Sequence, residues 1–385
     1  MHRQRLIIIG AVILSLAIVI AWLLMSGRIT LFLNKDTQSS QSPTIPEKPA
    51  EDQLACVDAF PNSIKIGQKI MAAGYEDRLS EEKAVFIQSN IGGVIIMNEI
   101  STASLQDFKN GFLFAPTVAT DQEGGTVQRY TAEGSFLGAS DIASYSTLAR
   151  AYNLYLSDAQ YLKSIGITTN FAPVVDVASV EPNPLPGRMY SSDPSVVANY
   201  ASQAIKAAQT SGISPVVKHF PGLGSATGNT DFMTATTDSF SVLLTRDLLP
   251  YQQLATYKPD VMVSNAITPG LTDGQPAIWS PTAVSLLRSY GYQGSVIYSD
   301  SLTAQAVPGT LEDAVIKSWQ AGIDVALIVQ THDQTPELAS DFQTIITRAT
   351  TALQSGELDS KEFSQSVLRI LQRKGINPCA IPHNF

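Results

Sequence analysis

Cysteine is nearly missing from this chain, and so is any surplus of positive charge. Two cysteines, Cys56 and Cys379, cannot assemble a four-ligand structural zinc site. Against 34 Asp and Glu there are only 25 Lys and Arg, and the net charge of −9 is the wrong balance for a nucleic-acid surface, which needs clustered Lys and Arg. No G-x-G-x-x-G turn follows a predicted strand, so a dinucleotide-binding fold lacks its usual evidence. No internal repeat is visible either. What is present is 385 residues, 44% of them hydrophobic, which is ample for one large domain or two ordinary ones.

The first 28 residues read as a separate object. Arg3 and Arg5 precede an uncharged run from Leu6 to Met25, and roughly 20 apolar residues suffice to cross a bilayer core. The basic flank predicts a cytoplasmic tip with the rest of the chain outside. An uncleaved anchor is favoured over a cleaved signal peptide, because the run exceeds an h-region of roughly 7–15 residues. Residues 29–55 read as a juxtamembrane segment and a polar, Pro-rich linker carrying Pro43, Pro46 and Pro49. Such a composition cannot bury enough apolar surface to fold. Residues 56–385 form the expected folded domain, bracketed by the two cysteines. An exported domain sits where disulfides persist, so a Cys56–Cys379 bridge is expected, with two unpaired buried thiols as the other reading.

Short β-rich runs alternate with helical patterns through the folded part. Candidate strands are Gly93–Met97, Thr117–Thr120, Thr168–Pro173, Ser214–Lys218, Val261–Asn265, Ser295–Ser299 and Val325–Val329. Helical segments include Ala149–Ile165, Pro194–Thr210, Thr310–Ala321 and a pair within Ala339–Lys374. Continuous apolar strands between helices imply a parallel sheet covered on both faces. The pattern predicts a single (β/α)8 TIM-type barrel with one irregular strand, a doubly wound open sheet being the runner-up.

Nearly every unusual polar residue falls just after a predicted strand. Asp121 and Glu123 follow the second, Asp176 the third, Lys218 and His219 the fourth, Asn265 the fifth, Asp300 the sixth and His332 the last. A ring of polar residues at strand C-terminal ends is what a barrel-face active site requires. It does not name a reaction.

The motifs supply one. Gly67-Gln68-Lys69-Ile70-Met71, Gly92-Gly93-Val94-Ile95, Asp121-Gln122-Glu123-Gly124-Gly125 running to Arg129, Asn170-Phe171-Ala172-Pro173 running to Asp176, Gly187-Arg188, Asp193-Pro194, Lys218-His219-Phe220-Pro221-Gly222 and Tyr298-Ser299-Asp300 occur in that order. Together they closely resemble family 3 glycoside hydrolases, in particular the single-domain β-N-acetylhexosaminidase-like branch. The resemblance runs from about Ser63 to Gly375, and the second, sandwich-like domain of larger members is expected to be absent. It implies a retaining glycosidase acting on β-linked amino sugars of cell-wall or related glycans. Asp300 matches the catalytic nucleophile, and a carboxylate suits an oxocarbenium-like transition state. Asp121, Arg129, Arg188, Lys218 and His219 match substrate-binding residues, while Asp176 and Glu123 support them. No metal or organic cofactor is implied, since both half-reactions are proton transfer plus displacement.

The chain departs from the branch at the proton donor. A histidine oriented by an aspartate two residues earlier is usual there, and these positions read Asp231 and Asn229. Leu223 also replaces a histidine, Asn265 stands where histidine is expected, and Ala304 where methionine is common. The four histidines are His2, His219, His332 and His383, so the usual dyad cannot be assembled. Three readings stay open. Asp231 is the acid/base; or His332 replaces the lost histidine; or the chain is a catalytically impaired sugar-binding module.

Overall fold

The computed structural model describes residues 50–131, 135–329 and 338–381. The Leu6–Met25 run, the linker up to Pro49, His332 and His383 lie outside the described residues. Among the described residues no helix is long and apolar enough to cross a membrane.

Eight strands, β1 (Ile70–Gly74), β2 (Gly93–Ile96), β3 (Thr117–Thr120), β4 (Thr169–Asn170), β5 (Ser214–Phe220), β6 (Asp260–Val263), β7 (Ile297–Ser301) and β8 (Val325–Ile328), follow one another around a closed barrel. All neighbours are parallel, and β1 closes on β8 with Met71 opposite Leu327. The expected barrel is therefore the observed one, and the open sheet is not. The strand without a sequence signal is β1, whose Ile-Met-Ala-Ala-Gly lacks the β-branched enrichment of its neighbours. The expected Thr168–Pro173 strand shrinks to the two residues of β4.

Alternation along each strand sorts the core into two layers. Met71, Ala73, Ile95, Ala119, Phe171, Val216, Met262, Tyr298 and Leu327 fill the barrel interior. Ile70, Ala72, Val94, Ile96, Val118 and Val217 point outward and pack beneath the helices. A smaller apolar cluster of Val174, Leu185, Met189, Leu223, Ala226, Ala235 and Ala266 lies in the segments after β4, β5 and β6.

Helix boundaries follow their local signals. Asp193 caps the Pro194–Thr210 helix by accepting from Ser195 N at 2.8 Å, with Pro194 in the first turn. Asp359 likewise caps the Ser360–Arg373 helix through Glu362 N. The 3-10 turn Pro378–Ala380 returns to the first described helix, Ala50–Asp58, where Cys379 and Cys56 form a disulfide with Cα atoms 5.2 Å apart.

Candidate active site

Strand alternation also aims the site. Ala119 faces the barrel interior, so Asp121, two residues on, points into its mouth; Asp300 stands in the same relation to Tyr298. In β5 the pairing register shifts between Val217 and Phe220. Both Lys218 and His219 reach the pocket as a result, where strict alternation would send one of them outward. The pocket encloses about 400 Å³ and brings together Asp121, Glu123, Arg129, Arg188, Lys218, His219, Asp231 and Asp300. Every residue expected from the sequence as nucleophile or substrate ligand, together with the acid/base candidate Asp231, is in this group. His332 is outside the described residues.

One wall is a charge network. Lys218 Nζ lies 2.7 Å from Asp121 Oδ1 and 2.6 Å from Glu123 Oε1. Glu123 also receives Arg188 through Nε at 2.8 Å and Nη2 at 2.9 Å, a two-pronged contact. Arg129 Nη2 reaches Asp121 Oδ2 at 3.3 Å. Burial by itself would raise the Asp121 carboxyl, but the Lys218 ammonium and the Arg129 guanidinium outweigh it and hold it at about 2. The same contest, won by Lys218 and Arg188, keeps Glu123 below the usual carboxylate range. Burial works to lower Lys218, and its two carboxylate partners outweigh that and raise it. These groups are therefore charged at neutral pH. Asp121 keeps lone pairs for hydroxyl donors, while Glu123 is occupied in fixing two cations.

His219 is fixed from behind. Asp176, fully buried, accepts from His219 N at 3.2 Å and Leu223 N at 2.7 Å, and its Oδ2 lies 2.7 Å from His219 Nδ1. That contact turns Nδ1 toward Asp176 and leaves Nε2 for the pocket. The loop that follows depends on two glycines. Gly222 has φ +139°, and a Cβ there would meet Asp247 Cβ at 2.6 Å. A Cβ on Gly224 would lie 1.7 Å from the Val177 carbonyl oxygen, so only glycine lets these backbones approach.

Asp300 is half-buried within β7 and caps no helix; its Oδ1 accepts from Ser301 N at 2.8 Å. Burial raises its carboxyl above the ordinary value, His219 opposes the rise, and the neighbouring Asp231 carboxylate adds to it. Asp231 itself is exposed. Its N–H donates to Asn229 Oδ1 at 2.9 Å, so Asn229 holds the turn. Two further bonds, Gln305 N to Asp231 O and Ala306 N to Thr230 O, both at 3.2 Å, tie this loop to the segment after β7. Asn265 braces the same segment by donating to Ser301 O at 2.8 Å, and Ala304 lines the pocket with only a methyl group.

Sequence reasoning passed over Gln122. Its Oε1 accepts from Arg129 N at 2.9 Å and Tyr130 N at 3.1 Å, and its Nε2 donates to Tyr130 O at 2.9 Å. This clamp folds the Asp121–Arg129 segment back so that Arg129 meets Asp121. The apolar lining from Met97, Leu185 and Val329 was also unmarked.

The glycosyl hydrolase family 3 N terminal domain matches residues 53–373. The chain belongs to this family. It is 33% identical over 328 residues to beta-hexosaminidase LpqI of Mycobacterium tuberculosis, spanning 80% of this chain and 82% of that protein. Among solved structures, a family 3 glycosyl hydrolase from Mycobacterium smegmatis superposes with a TM-score of 0.76 at 31% identity, covering 82% of this chain and 98% of the other. The M. tuberculosis LpqI structure gives 0.76 at 29% identity, covering 85% and 97%. The protein is thus a glycosidase of the family 3 type, similar to β-hexosaminidases.

Proposed function

We propose that the protein is a retaining β-N-acetylhexosaminidase in which Asp300 is the nucleophile and Asp231 the acid/base. The observation that carries this reading is the meeting of two carboxyl groups, from β7 and from the loop after β5, in one pocket and within electrostatic range. In the first half-reaction the Asp300 carboxylate bonds to the anomeric carbon as the glycosidic C–O bond breaks, and the Asp231 carboxyl gives its proton to the departing oxygen. In the second, Asp231 takes a proton from water, whose oxygen bonds to the anomeric carbon and releases Asp300. Asp121 accepts from sugar hydroxyls. Arg129, Lys218 and His219 donate to hydroxyl or acetamido oxygens, and Arg188, held by Glu123, borders the same ring. Relatives that are β-hexosaminidases favour a β-linked N-acetylhexosamine, from cell-wall or related glycans, as substrate. The disulfide favours an extracytoplasmic domain, displayed at the end of the Leu6–Met25 anchor.

The test compares 2,4-dinitrophenyl N-acetyl-β-D-glucosaminide, whose leaving group needs no proton, with N,N′-diacetylchitobiose, whose leaving group does. Asp300→Ala should abolish turnover of both. Asp231→Ala should cut chitobiose hydrolysis by about 10²–10⁴-fold, spare the dinitrophenyl substrate far more, and yield a β-glycosyl azide when azide is added. Release that survives Asp300→Ala would refute the assignment. One observation favours a second reading: Asp231 is exposed and Asn229 is engaged in the turn rather than in orienting an acid. A wild-type protein that binds chitobiose without cleaving either substrate would be the sugar-binding module.

A further inference from the structure

Phe232 follows the candidate acid/base directly in the chain and is 71% exposed, yet it lines the same pocket as Asp231 and Asp300. A single exposed apolar residue elsewhere on a surface needs no explanation. At the mouth of a pocket that holds the Asp231 and Asp300 carboxyl groups the situation differs, because a hydrophilic side chain could stand at so exposed a position at no cost to packing. The ring does not hang on a free tether. Phe232 N donates to Asn229 O at 3.1 Å, and the bonds from Gln305 N and Ala306 N hold the two preceding residues. The next side chain, Met233, packs over Gly228 and is itself 49% exposed.

Depth decides what Phe232 would hold. Asp300 is half-buried, so the ring that it attacks lies inward, against Asp121 and Lys218. An acid must stand beside the oxygen that joins this ring to the next. The residue after Asp231, on the solvent side, then borders the ring that leaves. A pyranose in the β configuration carries axial C–H groups on its faces, and an aromatic face receives such a surface while the hydroxyls at the ring edge stay in water.

We propose that Phe232 is the platform on which the leaving-group sugar ring stacks, and that the protein is thereby selective for β-linked glycans of two or more rings. The proposal rests on the glycosidase reading above. It is tested by the ratio of kcat/KM for N,N′-diacetylchitobiose, whose leaving group is a sugar ring, to kcat/KM for N-acetyl-β-D-glucosaminyl fluoride, whose leaving group is a single atom. Phe232→Ala should lower this ratio about tenfold, with the loss on chitobiose appearing mainly in KM. Phe232→Trp should hold the ratio within about twofold of wild type. A fall of both substrates by one factor, or no fall in either, overturns the platform. If the wild type cleaves neither substrate, the glycosidase reading fails by itself, and calorimetric titration then judges Phe232. Diacetylchitobiose should bind more tightly than N-acetylglucosamine, and Phe232→Ala should erase that advantage; an advantage left intact, or absent from wild type, overturns the platform.

Discussion

On the proposed mechanism the Asp300 carboxyl has to be ionised to attack, yet its surroundings favour the proton. Burial and the Asp231 charge raise it, and His219 only partly opposes them. The rate therefore falls as pH drops through a value above the ordinary aspartate pKa of about 3.9. The acid limb of kcat/KM on the dinitrophenyl substrate should lie above that value. Asp231→Asn, which removes the repelling charge, should move the limb to lower pH; a limb that stays in place or moves up would separate the two carboxyls. At this scale the sequence was informative, because Asp121, Lys218, His219 and Asp300 stand at strand ends and the motifs mark them together with Arg129 and Arg188. Gln122 was illegible. Nothing local to it announces that its amide reaches forward to the Arg129 backbone, since that contact exists only once the loop has folded back.

Elements were legible where apolar pattern and structure coincide and misjudged where the site intrudes. β5 and β7 extend past the expected strands to include His219-Phe220 and Asp300-Ser301. The sequence cue ends with the last apolar residue, but the ladder continues into the polar mouth. β1 went unseen for the opposite reason: its Ala-Ala-Gly is shaped by a crowded barrel wall rather than by strand propensity. The first half of the loop after β5 is set by backbone contact, and that has a measurable consequence. Gly224→Ala would drive a Cβ into the Val177 carbonyl, displacing the turn that follows His219. It should destabilise the protein by about 1–3 kcal/mol and depress activity. Gly294→Ala, with open space around its Cβ, should instead stabilise by up to about 1 kcal/mol. Equal melting temperatures for the two variants would contradict the packing argument.

On the scale of the whole molecule, the barrel closes twice. Hydrogen bonds join β1 to β8, and the disulfide joins the first described helix, Ala50–Asp58, to the turn after the last α-helix. A bridge that spans 323 positions restrains the unfolded chain strongly, a contribution of about 2–4 kcal/mol. Cys56→Ser should lower the melting temperature by about 5–10 °C, and an unchanged thermal midpoint would mean the bridge is incidental. The pairing was legible because only two cysteines exist to pair; the partner surfaces that align them were not. The bridge also gives the chain between Cys56 and Cys379 the connectivity of a ring. A protease that nicks one exposed loop within it makes a linear cut in a circle, and the pieces remain a single covalent molecule, with all eight strands still strung together. Under limited proteolysis, the first cut is then not the one that disassembles it.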